Sequence, residues 1–201
     1  MLNARRRGAT HPIEGIQYTR EVRTRGVPTV PRHRNAAFLC LLALTGGLAA
    51  DTAGALEYHP QWAEVTGIVD GDTFVLRFPE ADEGRQIEYR ANLMGVDAPG
   101  RGESECEAEH VAAITQRLLA GRRVWIEWDS HDKRTGDGRL LVYVYHPDDR
   151  DAELNELYIE QGWGWVPRPY PADRKADYLA LEREARAAER GIWGGPCPPP
   201  L

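Results

Sequence analysis

The sequence predicts an α+β protein in which about five short strands close into a barrel, one helix interrupts them and two helices follow. Three observations support this prediction. Alternating apolar and polar residues recur between residues 64 and 145, helical spacing begins near residues 104, 151 and 173, and the connections are rich in Gly, Pro and Asp. These observations support the class, whereas barrel closure is a further expectation.

Period-two alternation predicts the strands. In the second strand, Phe74, Leu76 and Phe78 alternate with a more polar set of side chains. A polar turn between residues 130 and 138 separates the last two strands, and a short edge segment is expected at 163–166. The five predicted strands cover residues 64–69, 73–78, 86–96, 124–128 and 140–145.

Capping and stop residues predict three helices. The first helix begins with a capping box formed by Ser104 and Glu107 and ends at Gly121. Asp151 is predicted to cap a short second helix, and residues 173–190 are predicted to form the third and longest helix. Strands and helices in this order fit an OB-type barrel with helical additions.

Residues 1–55 have the pattern of a secretory leader. Residues 1–34 contain eight Arg, no Lys and no helical or strand period, and they precede an apolar run at 36–50 and an Ala-Gly-Ala sequence at 53–55. The apolar run is shorter than the roughly 20 residues of a membrane span. We therefore expect a signal peptide cleaved near Ala55, with secretion or location in the periplasm or cell envelope.

Two alternatives accompany the leader. The apolar run could remain as an uncleaved N-terminal anchor, and the true start codon could lie downstream of Met1. After cleavage, no stable membrane span is expected. The predicted organisation is a leader at 1–55, one folded domain at 56–195 and a Pro-rich tail at 196–201.

Removal of the leader makes the chain strongly acidic. The remaining residues include 17 basic and 28 acidic side chains, a formal charge of −11. Such a surface repels polyphosphate at long range, which argues against strong sequence-independent binding of nucleic acid. Contacts to phosphate must therefore come from local Arg side chains or from a bound cation.

Two cysteines, Cys106 and Cys197, remain after the leader is removed. In an oxidising compartment they are expected to form one disulfide that ties the C-terminal tail to the first helix, and two free buried thiols are the alternative. No Cys-x-x-Cys or Cys/His cluster occurs in the sequence, so structural zinc is not expected.

Two short turns carry aspartates at the ends of apolar strands. The first is Asp70-Gly71-Asp72 and the second is Asp97-Ala98-Pro99. Gly and Pro fix the local backbone, so each carboxylate is held at a rigid strand end. Convergent carboxylates of this kind suit a hard cation such as Ca²⁺. An ordinary β-turn is the alternative for either motif alone.

Five motifs in order resemble the staphylococcal nuclease, or thermonuclease, family. The resemblance covers about residues 64–195. The motifs are VDGDT at 69–73, GVDAP at 95–99, GRLL at 138–141, LNEL at 154–157 with a following Gly162, and EREA at 182–185 with GIWG at 191–194.

The resemblance implies a Ca²⁺-dependent phosphodiesterase that hydrolyses single-stranded DNA or RNA and that we expect to be a monomer. By resemblance, the ion is held by Asp72, Asp97 and the backbone carbonyl of Ala98. The ion would act as a Lewis acid on a phosphoryl oxygen. Arg139 matches one of two arginines that clamp the phosphate, and a glutamate normally orients the attacking water.

The chain departs from the family pattern at two catalytic positions. The first clamping arginine is replaced by Asn92, and the glutamate is replaced by Gly100. Arg90 is a candidate replacement for the arginine, because residues two apart on a strand share a face. Glu103 and Glu105, just after the second Asp turn, are candidates for orienting the water, although a carboxylate in the first helical turn is also favoured by the helix dipole.

A nucleotide base is expected to meet Tyr170, which matches one aromatic position of the family, and Arg168 occupies the neighbouring aromatic position. Burial of Tyr170 against the last helix is the alternative. The sequence thus supports two functions. The favoured one is a metal-dependent nuclease with a rearranged site, and the alternative is a catalytically degenerate module that binds nucleic acid or protein without cleavage.

Overall fold

The computed structural model describes residues 10–13, 16–19, 58–79, 85–100 and 105–195, and it divides the chain into two compact units, 1–49 and 50–201. In the first unit, strands β1 (Thr10–Ile13) and β2 (Ile16–Thr19) pair antiparallel. No strand was predicted in residues 1–34, which show no strand period, so this pair of strands is a difference from the prediction. Thr and Ile favour extended backbone, and only two residues, one of them Gly, connect the strands.

Several predictions for the leader concern residues outside this description. The apolar run at 36–50 and the cleavage position near Ala55 are among them. Among the residues that the model describes, no helix has both the length and the apolar character needed to cross a bilayer.

The second unit is a closed, mixed five-stranded barrel, as predicted. Its strands are hydrogen-bonded in the order β5-β4-β3-β6-β7, and a parallel pairing between β5 and β7 closes the ring by placing Ala91 opposite Leu140 and Leu93 opposite Val142. The strands are β3 (Gln61–Ile68), β4 (Thr73–Arg77), β5 (Tyr89–Leu93), β6 (Arg123–Trp128) and β7 (Leu140–His146).

The barrel interior confirms the predicted alternation in β4. Phe74, Leu76 and Phe78 are fully buried, and burial of such side chains is the main force that favours the closed barrel. Strand β5 is shorter than the predicted 86–96, because a turn at Gly95 ends it. Gly95 has φ +73°, a conformation that side chains with a Cβ rarely adopt.

Three helices accompany the barrel: α1 (Glu105–Leu119), α2 (Leu154–Glu160) and α3 (Lys175–Ala187). The predicted core face of α1 is confirmed, since Val111, Ile114 and Leu118 are buried. The longest helix is α1 with 15 residues rather than α3 with 13, because the last helix starts later and ends earlier than the predicted 173–190. A short 3₁₀ helix, Gly191–Trp193, follows α3.

The prediction that Asp151 caps the second helix was wrong. Asp151 lies in a sixth strand, β8 (Asp149–Glu153), which pairs antiparallel with β7. Glu153 occupies the N-cap position of α2 without a side-chain cap bond, and its buried carboxylate instead accepts hydrogen bonds from Tyr178 and Arg174. Pairing with β7 therefore outweighs the local capping tendency of an Asp.

Asn155 on α2 fastens the helix to the barrel beside the ends of β5 and β7. Its side-chain amide donates to the backbone oxygens of Met94, at 2.9 Å, and Val142, at 3.0 Å, and its Oδ1 accepts the N–H of Val144 at 2.9 Å. Because Asn155 is fully buried and all of these groups are paired, it fixes the turn that leads to the second Asp motif.

Candidate metal and phosphate site

The first Asp motif forms a tight turn before β4. The Oδ1 atom of Asp70 accepts the backbone N–H groups of Asp72, at 3.2 Å, and Thr73, at 2.8 Å. The Asp-Gly-Asp-Thr sequence forms this Asx-type turn because the side chain of its first Asp accepts backbone N–H groups two and three residues later. It directs the following carboxylate of Asp72 toward the end of β5.

Asp72 is a buried carboxylate, only 8% exposed. Its Oδ1 accepts the Thr73 hydroxyl at 2.9 Å and the Asn92 amide at 3.2 Å, and its Oδ2 accepts the N–H of Ala98 at 3.3 Å. Burial, followed by the charge of Asp70 and a smaller effect of Asp97, raises the pKa of Asp72 to about 7. A carboxyl in this position retains a proton near neutral pH or needs a cation beside it.

Asp72 and Asp97 line one cavity of about 420 Å³. Asp97 is exposed, and its backbone is held by two hydrogen bonds with Trp165, of 2.9 and 2.8 Å. This bridge confirms the predicted edge segment at 163–166. Ala98 approaches Asp72 through its N–H, and the role expected for its carbonyl oxygen stays a prediction.

Arg139 reaches the same cavity from the start of β7. Its Nη1 donates to Oδ1 of Asn92 at 3.2 Å, and its Nε donates to the carboxylate of Asp137 at 2.9 Å. Asn92 therefore joins Asp72 to Arg139 through the two ends of one amide. Sequence reasoning treated Asn92 only as a missing arginine, because nothing in the sequence shows that barrel closure places residue 92 opposite Leu141.

Tyr170 stands at the rim of this cavity and is 67% exposed, so it is not buried against the last helix. Pro167 and Pro171 flank it in the lining, and Lys175 donates through Nζ to the backbone oxygen of Tyr170 at 2.7 Å. An exposed ring on an extended Pro-rich segment is suited to stacking against a planar group.

The remaining predicted site residues lie elsewhere or outside the described residues. Arg90 is exposed on β5, two residues from Asn92, and does not line the cavity. Arg168 pairs with Glu182 in a neighbouring groove. Glu103 and Cys197 fall outside the described residues. Glu105 begins α1, but its side chain is not described, and Cys106 follows it in the same helix.

Asp129, His131 and Asp173 form a second cluster whose ligand atoms lie within 4.8 Å of one another, close enough to hold a cation. In this cluster, however, the carboxylate oxygens already accept hydrogen bonds from protein groups. Asp129 accepts from Tyr143, from His131 Nδ1 at 2.8 Å and from the N–H of Asp173 at 2.7 Å. The cluster therefore links the β6–β7 loop to the start of α3. Sequence reasoning missed it because the three residues are scattered.

Replacing Asp129 by Asn is expected to lower the free energy of unfolding by about 2 to 3 kcal/mol at pH 7. In either orientation of the amide, its nitrogen replaces one acceptor oxygen, either the Oδ2 that accepts from Tyr143 and Asp173 or the Oδ1 that accepts from His131. Burial alone would raise the pKa of Asp129, but these hydrogen bonds outweigh it and lower the pKa. The contribution of Asp129 to stability is thus present above the ordinary Asp value of about 4 and is lost as pH falls below it.

Chemical denaturation at pH 7 and at about pH 3 tests this prediction. The difference between wild type and Asp129→Asn should shrink at the lower pH. Asp132→Asn, an exposed change in the same loop, is the matched control. Equal stabilities of wild type and Asp129→Asn at both pH values would contradict the assignment.

Comparison with known proteins finds nucleases among the proteins that this chain resembles. A family model described as "Staphylococcal nuclease homologue" matches residues 90–195. An "Uncharacterized endonuclease" of Escherichia coli is 29% identical over 136 residues, which cover 68% of this chain and 79% of that protein. The "Micrococcal nuclease" of Shigella flexneri is 28% identical over 149 residues, with coverage of 68% and 78%. "Protein ParB" of Escherichia coli is 24% identical over 156 residues, with coverage of 74% and 83%.

Proposed function

The chain belongs to the staphylococcal nuclease homologue family, and from this premise we propose that it is an exported, Ca²⁺-dependent nuclease that cleaves single-stranded DNA or RNA. One observation carries the proposal. The buried carboxylate of Asp72 shares a cavity with a second carboxylate, Asp97, and with the guanidinium of Arg139. Two carboxylates that could hold a metal ion, next to an arginine that could bind phosphate, suit metal-assisted hydrolysis of a phosphodiester.

The donor set fits a hard cation. Asp72 and Asp97 offer only oxygen atoms, and the raised pKa of Asp72 means that its ionised form lacks a compensating positive charge. We propose that Asp72, Asp97 and the carbonyl oxygen of Ala98 hold the ion. When bound, Ca²⁺ polarises a phosphoryl oxygen and offsets the negative charge that develops on it.

The protein groups around this position have separate tasks. Arg139 donates hydrogen bonds to the phosphate. Asn92 is a positioning residue, because it is hydrogen-bonded to both Asp72 and Arg139 and so fixes their relative position. Asp137 competes with the phosphate for Arg139, since it already accepts from Nε of that side chain. Gly100 offers no group to orient water, so Glu103 or Glu105 is proposed for this task. Arg90 is exposed on β5 outside the cavity lining, and we propose that its long side chain reaches the phosphate from there.

A cleavage assay tests the proposal. The purified protein is incubated with denatured DNA and with RNA, in Ca²⁺ or in an excess of chelator. Cleavage is expected with Ca²⁺ only, at a rate that Asp97→Asn lowers by about 10²-fold or more, because loss of one electrostatic group typically costs that much. Cleavage that continues in chelator would contradict the assignment of the ion.

A second candidate function is binding without cleavage. It is favoured by the two departures from the family pattern that are expected to weaken catalysis. With Asn92 and Gly100 at the positions of the clamp and of the glutamate, the barrel would bind single-stranded nucleic acid or a protein without cutting it. Binding of the oligonucleotide together with no cleavage above the chelator control would support this alternative.

Export, the disulfide between Cys106 and Cys197 and the monomeric state belong to the same proposal. The leader pattern supports export, and an oxidising compartment favours the disulfide. The intact mass of the exported protein is expected to correspond to a start near residue 56 and to be two hydrogens lighter than the dithiol form. A mass that includes the leader would point to the uncleaved anchor.

A further inference from the structure

A second groove of about 410 Å³ adjoins the candidate site. Asp97, Val166, Pro167 and Tyr170 line both cavities, so the surface continues from the proposed ion position past the Tyr170 ring. Three charged side chains line only the second groove: Arg168, Glu182 and Arg186.

Glu182 organises the two arginines. It is 1% exposed, and its Oε1 accepts from Nη2 of Arg168 at 2.8 Å and from Nε of Arg186 at 2.8 Å. Its Oε2 accepts the N–H of Val166 at 3.1 Å. The triad contains two guanidinium groups and one carboxylate, so it carries one net positive charge. This local positive charge contrasts with the acidic character of residues 56–201 as a whole.

Both guanidinium groups are held in place and still accessible. The Arg186 guanidinium lies 3.7 Å from the centre of the Trp193 ring, and its side chain is 50% exposed, while that of Arg168 is 57% exposed. Each guanidinium has five N–H donors, and Glu182 takes one from Arg168 and two from Arg186. Donors fixed in this way lose little freedom on binding, and their planar fork matches phosphate oxygens.

We propose that Arg168 and Arg186 form a second phosphate subsite, which binds the phosphate of a neighbouring nucleotide while the scissile phosphate occupies the cavity of Asp72, Asp97 and Arg139. This inference rests on the proposed function and makes it more specific. The substrate class is then a polynucleotide strand that bends around Tyr170, rather than a mononucleotide or a small phosphodiester.

Binding measurements on the full protein test the subsite. The probes are thymidine 5′-monophosphate and a fluorescent, phosphorothioate-linked oligothymidylate of about eight nucleotides, which resists cleavage, both with Ca²⁺ present. Arg186→Gln and Arg168→Gln are each expected to weaken binding of the oligonucleotide about tenfold. Their affinity for the monophosphate should equal that of the wild type.

Arg183→Gln is the matched control, because Arg183 is exposed on the same helix and does not line the groove. It should change neither affinity. The slope of log affinity against log salt should fall by about 0.7 for each phosphate contact removed. If Arg186→Gln unfolds, Arg186→Lys takes its place, with an expected loss of about threefold because the ammonium lacks the fork.

The outcomes separate this inference from the proposed function. Oligonucleotide affinity that is the same in wild type and in the arginine variants overturns the subsite while leaving the nuclease site intact. An equal loss for both probes also overturns it, because the arginines would then act on the first site or on the fold. Failure of the wild type to bind either probe overturns the subsite and the proposed function together.

Discussion

The double variant Asn92→Arg, Gly100→Glu is expected to cleave single-stranded DNA at least about 10²-fold faster than the wild type, since each restored electrostatic group is typically worth 10² to 10³ in rate. The structure has room for a side chain at position 100. A Cβ atom at Gly100 meets no atom within 4 Å. An arginine at position 92 would replace the amide that now donates to Asp72 and would release Nη1 of Arg139 toward the phosphate, while Asp137 still holds Nε of Arg139.

Two variants serve as controls for this gain. Gly136→Glu also adds a carboxylate at the cavity without steric conflict, but not after the second Asp turn. Asn92→Gln keeps the amide without adding a charge. Initial rates at saturating Ca²⁺ should rise only in the double variant. A double variant that binds Ca²⁺ and folds but is no faster than Gly136→Glu would show that the site is not a weakened nuclease centre.

Replacing Asp72 by Asn is expected to remove Ca²⁺ binding and cleavage while stabilising the cation-free fold. The variant keeps a side chain of the same shape but loses the charge that would hold the ion. Affinity for Ca²⁺ should fall by more than about 100-fold, because changes in the outer shell of a metal site alone cost 10- to 100-fold. Calorimetry with Ca²⁺ measures this loss directly.

The stabilising effect depends on pH. Because the pKa of Asp72 is raised in the folded state, to about 7, its contribution to the stability of the cation-free wild type is fully present below the unfolded-state value of about 4 and is lost as pH rises through about 7. The unfolding midpoint of Asp72→Asn in chelator should therefore exceed that of the wild type at pH 8 and match it near pH 4.

Asp132→Asn, which removes an exposed carboxylate from the lining of the same cavity, is the control for both effects. It should retain Ca²⁺ binding and show little change of midpoint. A difference in midpoint between wild type and Asp72→Asn that stays the same from pH 4 to pH 8, with Ca²⁺ binding unchanged in the variant, would mean that Asp72 is neither destabilised by its burial nor a ligand.

Local signals in the sequence were enough for the α+β class and for most of the strands, whereas the site residues were predicted from the resemblance to the family. Alternation fixed the buried face of β4, and Gly and Pro in the two Asp turns marked the strand ends. The structure brings Asp72, Asp97 and Arg139 to one cavity, although their roles stay predictions.

Features that depend on partners distant in sequence could not be predicted. β8 consists largely of charged residues, Asp149–Glu153, and resembles a helix start until its pairing with β7 is known. The bridging role of Asn92 requires the parallel closure of β5 on β7, and the pair of arginines on Glu182 requires α3 to pack beside residues 166–168. In each case the role of the residues depends on contacts with parts of the chain that are distant in sequence, and the neighbouring residues do not indicate it.

The parallel closure of β5 on β7 determines when the candidate site assembles during folding. It joins residues 91–93 to residues 140–142, and only then do Asn92, Asp72 and Arg139 meet. Contacts between distant parts of a chain form late in folding. If the export proposed above takes place before folding, the chain would carry no assembled site while it is inside the cell, and the site would form only outside.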